Sequence, residues 1–331
     1  LARRLAVLLP FRDVSRWLDE AIASVRAEPE IDALVLVDDG SVDASSEIAQ
    51  EHARADRRIE LIRTEGVGLP RALEVGRARA AARYVARMDG DDVSVPGRIA
   101  AQAAYLDEHP DVAAVGAQVE AFPDVAEGLA RYVAWQNAIL EPEAHRSELF
   151  VEAPLCHPSV TLRASALEAV GGYRDGPFPE DYELWLRLDA AGHSLAKLDR
   201  VLLRWRHREG RLTFQDPRYG LAAHRDLKAR YLARELARHP AFVIWGAGPT
   251  GKRLARSLER EGARPAFFID IDPAKIGRSR RGAPVRDAAS LEAAPRPFVV
   301  VAVGARGARD LVCAELRARG LLPGRDYLAA S

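Results

Sequence analysis

The sequence predicts an α/β protein: a mostly parallel sheet domain over residues 1–215, a helical connector over 216–240 and a smaller α/β domain over 241–331. Three observations lead there. Short apolar runs alternate with stretches of helical period, with no hairpin signal between them, which is the pattern of parallel strands joined by crossover helices. Several of those runs end in acidic residues. After His239-Pro240 the pattern restarts as strand, glycine-rich turn and helix.

Composition supports two ordinary soluble domains. The chain has 331 residues, 48% hydrophobic and 29% charged, enough to bury a large core. Lys+Arg and Asp+Glu balance at 48 each, so bulk charge offers no argument for nucleic acid as a partner. The two cysteines, Cys156 and Cys313, lie far apart, as in a reduced compartment. No apolar run approaches the roughly 20 residues of a membrane span, and the opening residues show no signal-peptide pattern. The expectation is a cytoplasmic protein, peripheral at most to the inner face of a membrane.

Leu5-Ala6-Val7-Leu8-Leu9, ended by Pro10, reads as a buried parallel strand. Asp13 or Ser15 can cap the helix after it, whose Trp17, Leu18, Ala21, Ile22 and Val25 keep helical spacing. Ala33 to Val37 is a second strand and ends in Asp38-Asp39-Gly40-Ser41. A helix over 44–53, a short strand over 59–62, a loop over 66–70 and a helix over 71–82 follow. Tyr84 to Met88 is the next strand, and it runs into Asp89-Gly90-Asp91-Asp92. Three carboxylates in four positions repel unless a cation or a set of donors compensates them. Oxygen-only ligands on a tight turn suit a hard ion such as Mg²⁺ or Mn²⁺; a solvated acidic helix cap is the plainer alternative. Because ligands of parallel sheets bind beyond the carboxyl ends of the strands, Pro10-Phe11-Arg12, Asp38-Asp39 and Asp89–Asp92 are expected to converge on one edge.

Beyond Pro96 the pattern changes: a helix over 98–108, a strand over 112–119, and a poorly patterned stretch over 122–151. His157 to Leu162 reads as a strand, and 163–169 as a helix closed by Gly171-Gly172. A further helix begins at Glu180-Asp181, with Leu184, Trp185 and Leu188 on its buried face. Acids at a helix start are favoured by the dipole alone; a catalytic base aimed into a cleft is the sharper reading.

In this order, Leu8-Leu9-Pro10, Val37-Asp38-Asp39-Gly40-Ser41-Val42-Asp43, Met88-Asp89-Gly90-Asp91-Asp92, His157-Pro158-Ser159-Val160, Gly171-Gly172-Tyr173-Arg174 and Glu180-Asp181-Tyr182-Glu183-Leu184-Trp185 resemble the inverting, metal-dependent glycosyltransferases of family 2, which have the GT-A fold. The resemblance covers roughly residues 5–215. It implies transfer of a sugar from a nucleoside-diphosphate sugar to an acceptor hydroxyl, on a saccharide or a lipid-linked acceptor, in bacterial polysaccharide or glycan assembly. By the same resemblance Asp38 and Asp39 read the base and ribose, with Pro10, Phe11 and Arg12 on the other side. Asp89 and Asp91 match the family's D-x-D element, with Asp91 on the cation. Asp181 matches the catalytic base and Glu180 orients it. Arg71 sits where a phosphate or nucleotide contact is possible. Two departures stand out: Phe11-Arg12 replaces the family's usual pair after the first strand, and His207, a candidate metal or phosphate ligand, falls one position early, leaving Arg208 where the family has histidine.

In the second domain, Gly246-Ala247-Gly248-Pro249-Thr250-Gly251 lies between a strand (242–245) and a helix, and Asp270 ends the following strand. That context favours a Rossmann-like module, half of a full dinucleotide fold. With Phe268 to Pro273 and Gly282 to Val285, it also resembles the small nucleotide-sugar-binding domains attached to some bacterial sugar acyltransferases. A nucleotide-sugar site, an NAD(P) site and an empty pocket stay open here. The alternative functions are accordingly an NAD(P)-dependent oxidoreductase and a sugar-nucleotide sensor, both acting through Gly246, Gly248, Gly251 and Asp270.

Overall fold

Apolar runs without a polar interruption become the inner strands of an eight-stranded sheet. In the computed structural model, which describes residues 3–292 and 295–331, the first half of that sheet is laid down by β1 (Arg3–Phe11), α1 (Ser15–Arg26), β2 (Ala33–Asp38), α2 (Ser45–Ala55), β3 (Ile59–Arg63), α3 (Leu69–Ala80) and β4 (Ala82–Arg87). These four strands run parallel in the order β3-β2-β1-β4. Leu5 to Leu9 and Ala33 to Val37 are essentially inaccessible to solvent, as expected of strands covered on both faces. Leu18, Ala21, Ile22 and Val25 turn the inner side of α1 into the same core.

The chain then builds β5 (Val93–Ser94), α4 (Arg98–Glu108), β6 (Val112–Phe122), α5 (Glu127–Asn137), α6 (Pro142–Glu148), β7 (Thr161–Arg163), α7 (Ala164–Ala169), α8 (Glu180–Ala190), β8 (Ser194–Arg206) and α9 (Leu212–Gln215). The short β7 is antiparallel to both β4 and β6, β6 is parallel to β8, and β5 closes the edge antiparallel to β8. Register decides what this sheet can do. Phe11 lies opposite Asp38, and Leu8 opposite Arg87, so β1 and β2 finish level, β4 stops three residues sooner, and the residues after all three strands emerge at the same edge.

A second sheet is formed by β9 (Phe242–Trp245), β10 (Phe268–Ile269), β11 (Ser279–Arg280), β12 (Ala283–Arg286), β13 (Phe298–Val301) and β14 (Tyr327–Ala329), in the order β11-β12-β10-β9-β13-β14. Every pairing in it is parallel except β11 with β12. Helices α10 (Leu221–Leu236), α11 (Pro249–Arg260) and α12 (Ala308–Ala318) accompany it. The chain divides into two units: Leu1–His145, Pro154–Gly176 and Glu180–Gln215 form one, and Arg146–Ala153, Pro177–Pro179 and Asp216–Ser331 the other.

Several elements differ from the sequence expectation. Residues 157–159 form a 3-10 turn rather than a strand: Pro158 sits in its first turn, where a missing N–H costs nothing, and the Ser159 hydroxyl donates to Cys156 O at 2.7 Å. The poorly patterned stretch contains α5, which buries only Val133 and Gln136 and therefore has no apolar stripe to read. The 13-residue β8 went unread because its middle, Leu198 to Val201, alternates weakly. Both cysteines are free. No described helix is long and apolar enough to cross a membrane.

Candidate active site

At the end of β1 the backbone turns outward, and Asp39 N–H donates to Phe11 O at 2.9 Å, holding the first two strand ends together. Pro10 and Phe11 are buried, Phe11 within the main core. Of the expected nucleotide-facing trio, Arg12 is therefore the exposed side chain; it lies 3.7 Å from Asp13 and over Gly66. Asp38 and Asp39 are both buried and both committed to their own loop. Asp38 accepts from Ser41 N at 2.8 Å and from the Ser46 hydroxyl. Asp39 accepts from Thr64 Oγ1 at 2.6 Å, Val67 N at 2.7 Å and Gly68 N at 2.9 Å. This pair shapes the 64–68 loop before α3. Arg71, on the first turn of α3, pairs with Asp175 at 3.0 Å.

Strand β4 delivers the acidic turn. One carboxylate oxygen each from Asp89, Asp91 and Asp92 lies within 4.8 Å of the other two. Gly90 is glycine for a steric reason: a Cβ there would sit 2.9 Å from that of Phe11. Asp89 is ion-paired with the fully buried Arg87. Asp91 receives Arg208 Nε at 2.7 Å, and Arg208 also stacks over Trp17 at 4.7 Å. Asp92 is completely buried; one oxygen accepts Arg206 N–H at 2.7 Å, while the other has no partner among the described residues. Burial first, then the charges of Asp91 and Asp89, push the Asp92 carboxyl well above the usual carboxylate range. An orphaned, desolvated oxygen beside two further carboxylates is a donor set that fits a hard divalent cation.

Helix α8 brings the remaining acids to the same neighbourhood. Glu180 is buried, 3.9 Å from His157 Nδ1, while Asp181 is half-exposed at the helix start and accepts Tyr182 N–H at 2.7 Å. Three buried side chains register the convergence. The Arg87 guanidinium faces Asp89, Tyr173 and Glu180. The Tyr173 hydroxyl, raised well above the usual phenol range chiefly by burial, is also influenced by Glu180 and Asp181. The Cys156 thiol, raised by burial, feels Asp92, Asp89 and Asp181 together. His157, 3.3 Å from the Tyr173 hydroxyl, is kept neutral by burial and by Arg87.

Of the expected ligands, His207 is not in the carboxylate group. Its ring stands edge-on to Phe214 at 5.7 Å, and Arg208, the next residue, reaches Asp91 instead. Four participants carry no role of their own in the sequence expectation, although one of them, Asp92, is counted there in the acidic turn. Asp92 belongs to the same acidic run and was readable from it. Arg87 stands out as a cation closing the Tyr84-Val85-Ala86 run of β4. Arg98 gave no signal: it is fully buried and donates to Arg87 O at 3.2 Å, Pro158 O at 2.5 Å and Ser94 Oγ at 2.9 Å, fastening the acidic turn to the 157–159 turn. Arg206 gave none either, since its backbone is what satisfies Asp92.

In the other unit, a Cβ on Gly251 would overlap the carbonyl of Gly246, and one on Gly246 the carbonyl of Ala302, so both glycines are required for packing. Gly248 faces open space. Asp270 accepts Ala247 N–H at 3.0 Å and Asp272 N–H at 3.0 Å, and pairs with Lys275 at 3.1 Å. A cavity of about 390 Å³ in this unit, lined by residues including His239, Pro240 and Arg264, contains none of the Gly246–Gly251 turn.

Comparison with known proteins gives a consistent result. The family described as Glycosyl transferase family 2 matches residues 6–171. The amylovoran biosynthesis glycosyltransferase AmsE of Erwinia amylovora is 30% identical over 191 residues, 57% of this chain and 70% of that protein. Among solved structures, S. aureus TarS 1–349 in complex with UDP-GlcNAc superposes with a TM-score of 0.56 at 15% identity, covering 78% of this chain and 72% of that one. The mannosyltransferase PcManGT of Pyrobaculum calidifontis, in complex with GDP-Man and Mn²⁺, gives 0.51 at 16% identity over 72% of this chain and 64% of that one. The large sheet therefore has the GT-A arrangement of these transferases.

Proposed function

The chain belongs to glycosyl transferase family 2, and we propose that residues 1–215 transfer a sugar from a nucleoside diphosphate to an acceptor hydroxyl in a single, inverting displacement, in bacterial polysaccharide or glycan assembly. The observation that supports this reading is that two segments distant in sequence act on one point: the charges of Asp89 and Asp92 from the β4 turn, and of Asp181 from α8, all help to raise the buried Cys156 thiol. Carboxylates are gathered at that cost where chemistry uses them.

Asp181 is the proposed base. An acceptor hydroxyl is too weak an acid to attack unaided, and a carboxylate within reach accepts its proton as the bond to the anomeric carbon forms. Glu180, buried behind it, and Arg87, which faces Glu180 and Asp89, hold the acidic pair in position. Base and leaving group on opposite faces of the sugar give inversion, the geometric logic of inverting glycosidases. Asp89, Asp91 and Asp92 would hold a Mg²⁺ or Mn²⁺ ion; when bound, it offsets the charge that develops on the departing diphosphate. Arg208 and Arg12 are the nearby exposed-edge cations available to phosphate oxygens.

The donor is proposed to be a UDP- or GDP-sugar, by analogy with the ligands of TarS and PcManGT. The acceptor is proposed to be a saccharide or a lipid-linked glycan. Residues 241–331 are read as a Rossmann-like module, since β12-β10-β9-β13-β14 follows the doubly wound order. The oxidoreductase and sensor readings have less support. The acid that would hold a ribose, Asp270, already has both oxygens occupied by Ala247, Asp272 and Lys275.

Transfer and donor hydrolysis with Mn²⁺ test the proposal in wild type, Asp91→Ala and Asp181→Asn. Asp181→Asn is expected to lower kcat about 10²- to 10⁴-fold, the usual contribution of a general base, with little change in donor KM. Unchanged turnover in both variants overturns the reading.

A further inference from the structure

The overall balance of charge conceals an unequal division along the chain. Residues 1–215 hold 26 Lys and Arg against 36 Asp and Glu, and residues 216–331 hold 22 against 12, a net of −10 and +10. Within the second stretch the excess is concentrated. Helix α11 buries Gly251, Leu254, Ala255, Ser257 and Leu258, and leaves Lys252, Arg253, Arg256 and Arg260 exposed. Positions 252, 253, 256 and 260 recur at helical spacing, so these four cations form one stripe. The β11–β12 turn lies against that helix, because Arg281 Nε donates to Glu259 Oε1 at 2.8 Å. Glu259, held below the usual carboxylate range chiefly by Arg281, also faces Arg264 and Arg256. One carboxylate thus stands among three arginines, and Arg278 directly precedes β11. Lys252, Arg253, Arg256, Arg264 and Arg278 are exposed and make no ion pair among the described residues.

We propose that this arginine-rich face of the second unit, centred on α11 and the β11–β12 turn, docks onto the anionic surface of a lipid bilayer. A row of unneutralised cations attracts such a surface within a Debye length and is released by salt. Among the described residues of this unit no Phe, Trp or Tyr is exposed; the large exposed apolar side chains are the aliphatic Leu221, Ile271, Leu311 and Leu322. Binding of a single nucleic-acid strand relies on exposed aromatic rings for base stacking, so a cationic face in a unit without them suits an anionic headgroup layer. The inference stands on charge and exposure and is independent of sugar transfer, so either can fail while the other holds.

The experiment uses the full chain, sedimented with phosphatidylcholine vesicles with or without phosphatidylglycerol, at low and high salt. The bound fraction is expected to rise by roughly an order of magnitude or more with the acidic lipid, and to fall back at high salt. The triple variant Arg253→Glu, Arg256→Glu, Arg264→Glu, all at exposed positions, is expected to lose vesicle binding while keeping the wild-type circular dichroism and its donor turnover with a water-soluble acceptor. Equal binding to the two kinds of vesicle overturns the proposal, as does undiminished binding by the triple variant. Binding to single-stranded RNA without binding to the acidic vesicles overturns it as well.

Discussion

A carboxylate packed against other carboxylates stays ionised only where cations face it. Asp89 has Arg87 and Asp91 has Arg208, but the second oxygen of Asp92 has no partner among the described residues. The two arginines differ in kind. Arg87 is fully buried and cannot leave. Arg208 is held by one carboxylate and the face of Trp17, so a competing cation or a diphosphate can displace it. Removing it frees Asp91. In Arg208→Ala, Mn²⁺ binding without donor, followed by calorimetry, should therefore tighten several-fold, while donor KM rises because a phosphate contact is lost. Weaker Mn²⁺ binding in that variant would mean that Arg208 helps to build the site and does not compete for it.

At the scale of elements, two buried features hold the scaffold under these residues. Gly76 lets α3 lie directly on β1 and β2: a Cβ there would overlap Leu8 and approach Val37. Gly76→Val is expected to lower stability by about 1–3 kcal/mol, the usual cost of overpacking, visible as a reduced urea midpoint. Midpoints equal to wild type would show that α3 can shift outward freely. On β8, Lys197 is buried and donates to Gln136 O and Pro154 O, tying the strand to the end of α5 and to the 154–156 segment. Burial pulls its ammonium down to about 7 from 10.5. Between those values the unfolded chain binds the extra proton, so stability rises with pH across that window and is lost as pH falls through about 7. Urea titrations at several pH values should show this rise in wild type and its absence in Lys197→Met.

For the whole molecule, a net charge near zero is a poor guide to behaviour. Stretches of −10 and +10 in one chain attract their opposites on other copies at low ionic strength and cease to do so once screened. Light scattering should accordingly report salt-reversible self-association near neutral pH, abolished at high salt. A monomer at every salt concentration would show that the charged faces are mutually inaccessible between copies. The imbalance was readable in the sequence by counting the two stretches separately, and the bulk count of 48 against 48 obscured it.

Local patterns announced much of this protein. Continuous apolar runs such as Leu5–Leu9 and Ala33–Val37 can only be covered strands, and parallel strands put their ends on one edge, so the convergence of Asp38, Asp39 and Asp89–Asp92 followed from the sequence alone. Its ordered motifs also pointed to the family that the comparisons show. What tertiary structure alone decided is the use of each charge. Asp38 and Asp39 spend their oxygens on their own loop, Phe11 turns inward, His207 meets Phe214, and Arg87, Arg98, Arg206 and Arg208 neutralise or brace the acidic turn. Periodicity reports which face of an element is buried; it carries no information on which distant partner satisfies a polar group, because that depends on contacts made across more than a hundred positions, as between Asp91 and Arg208.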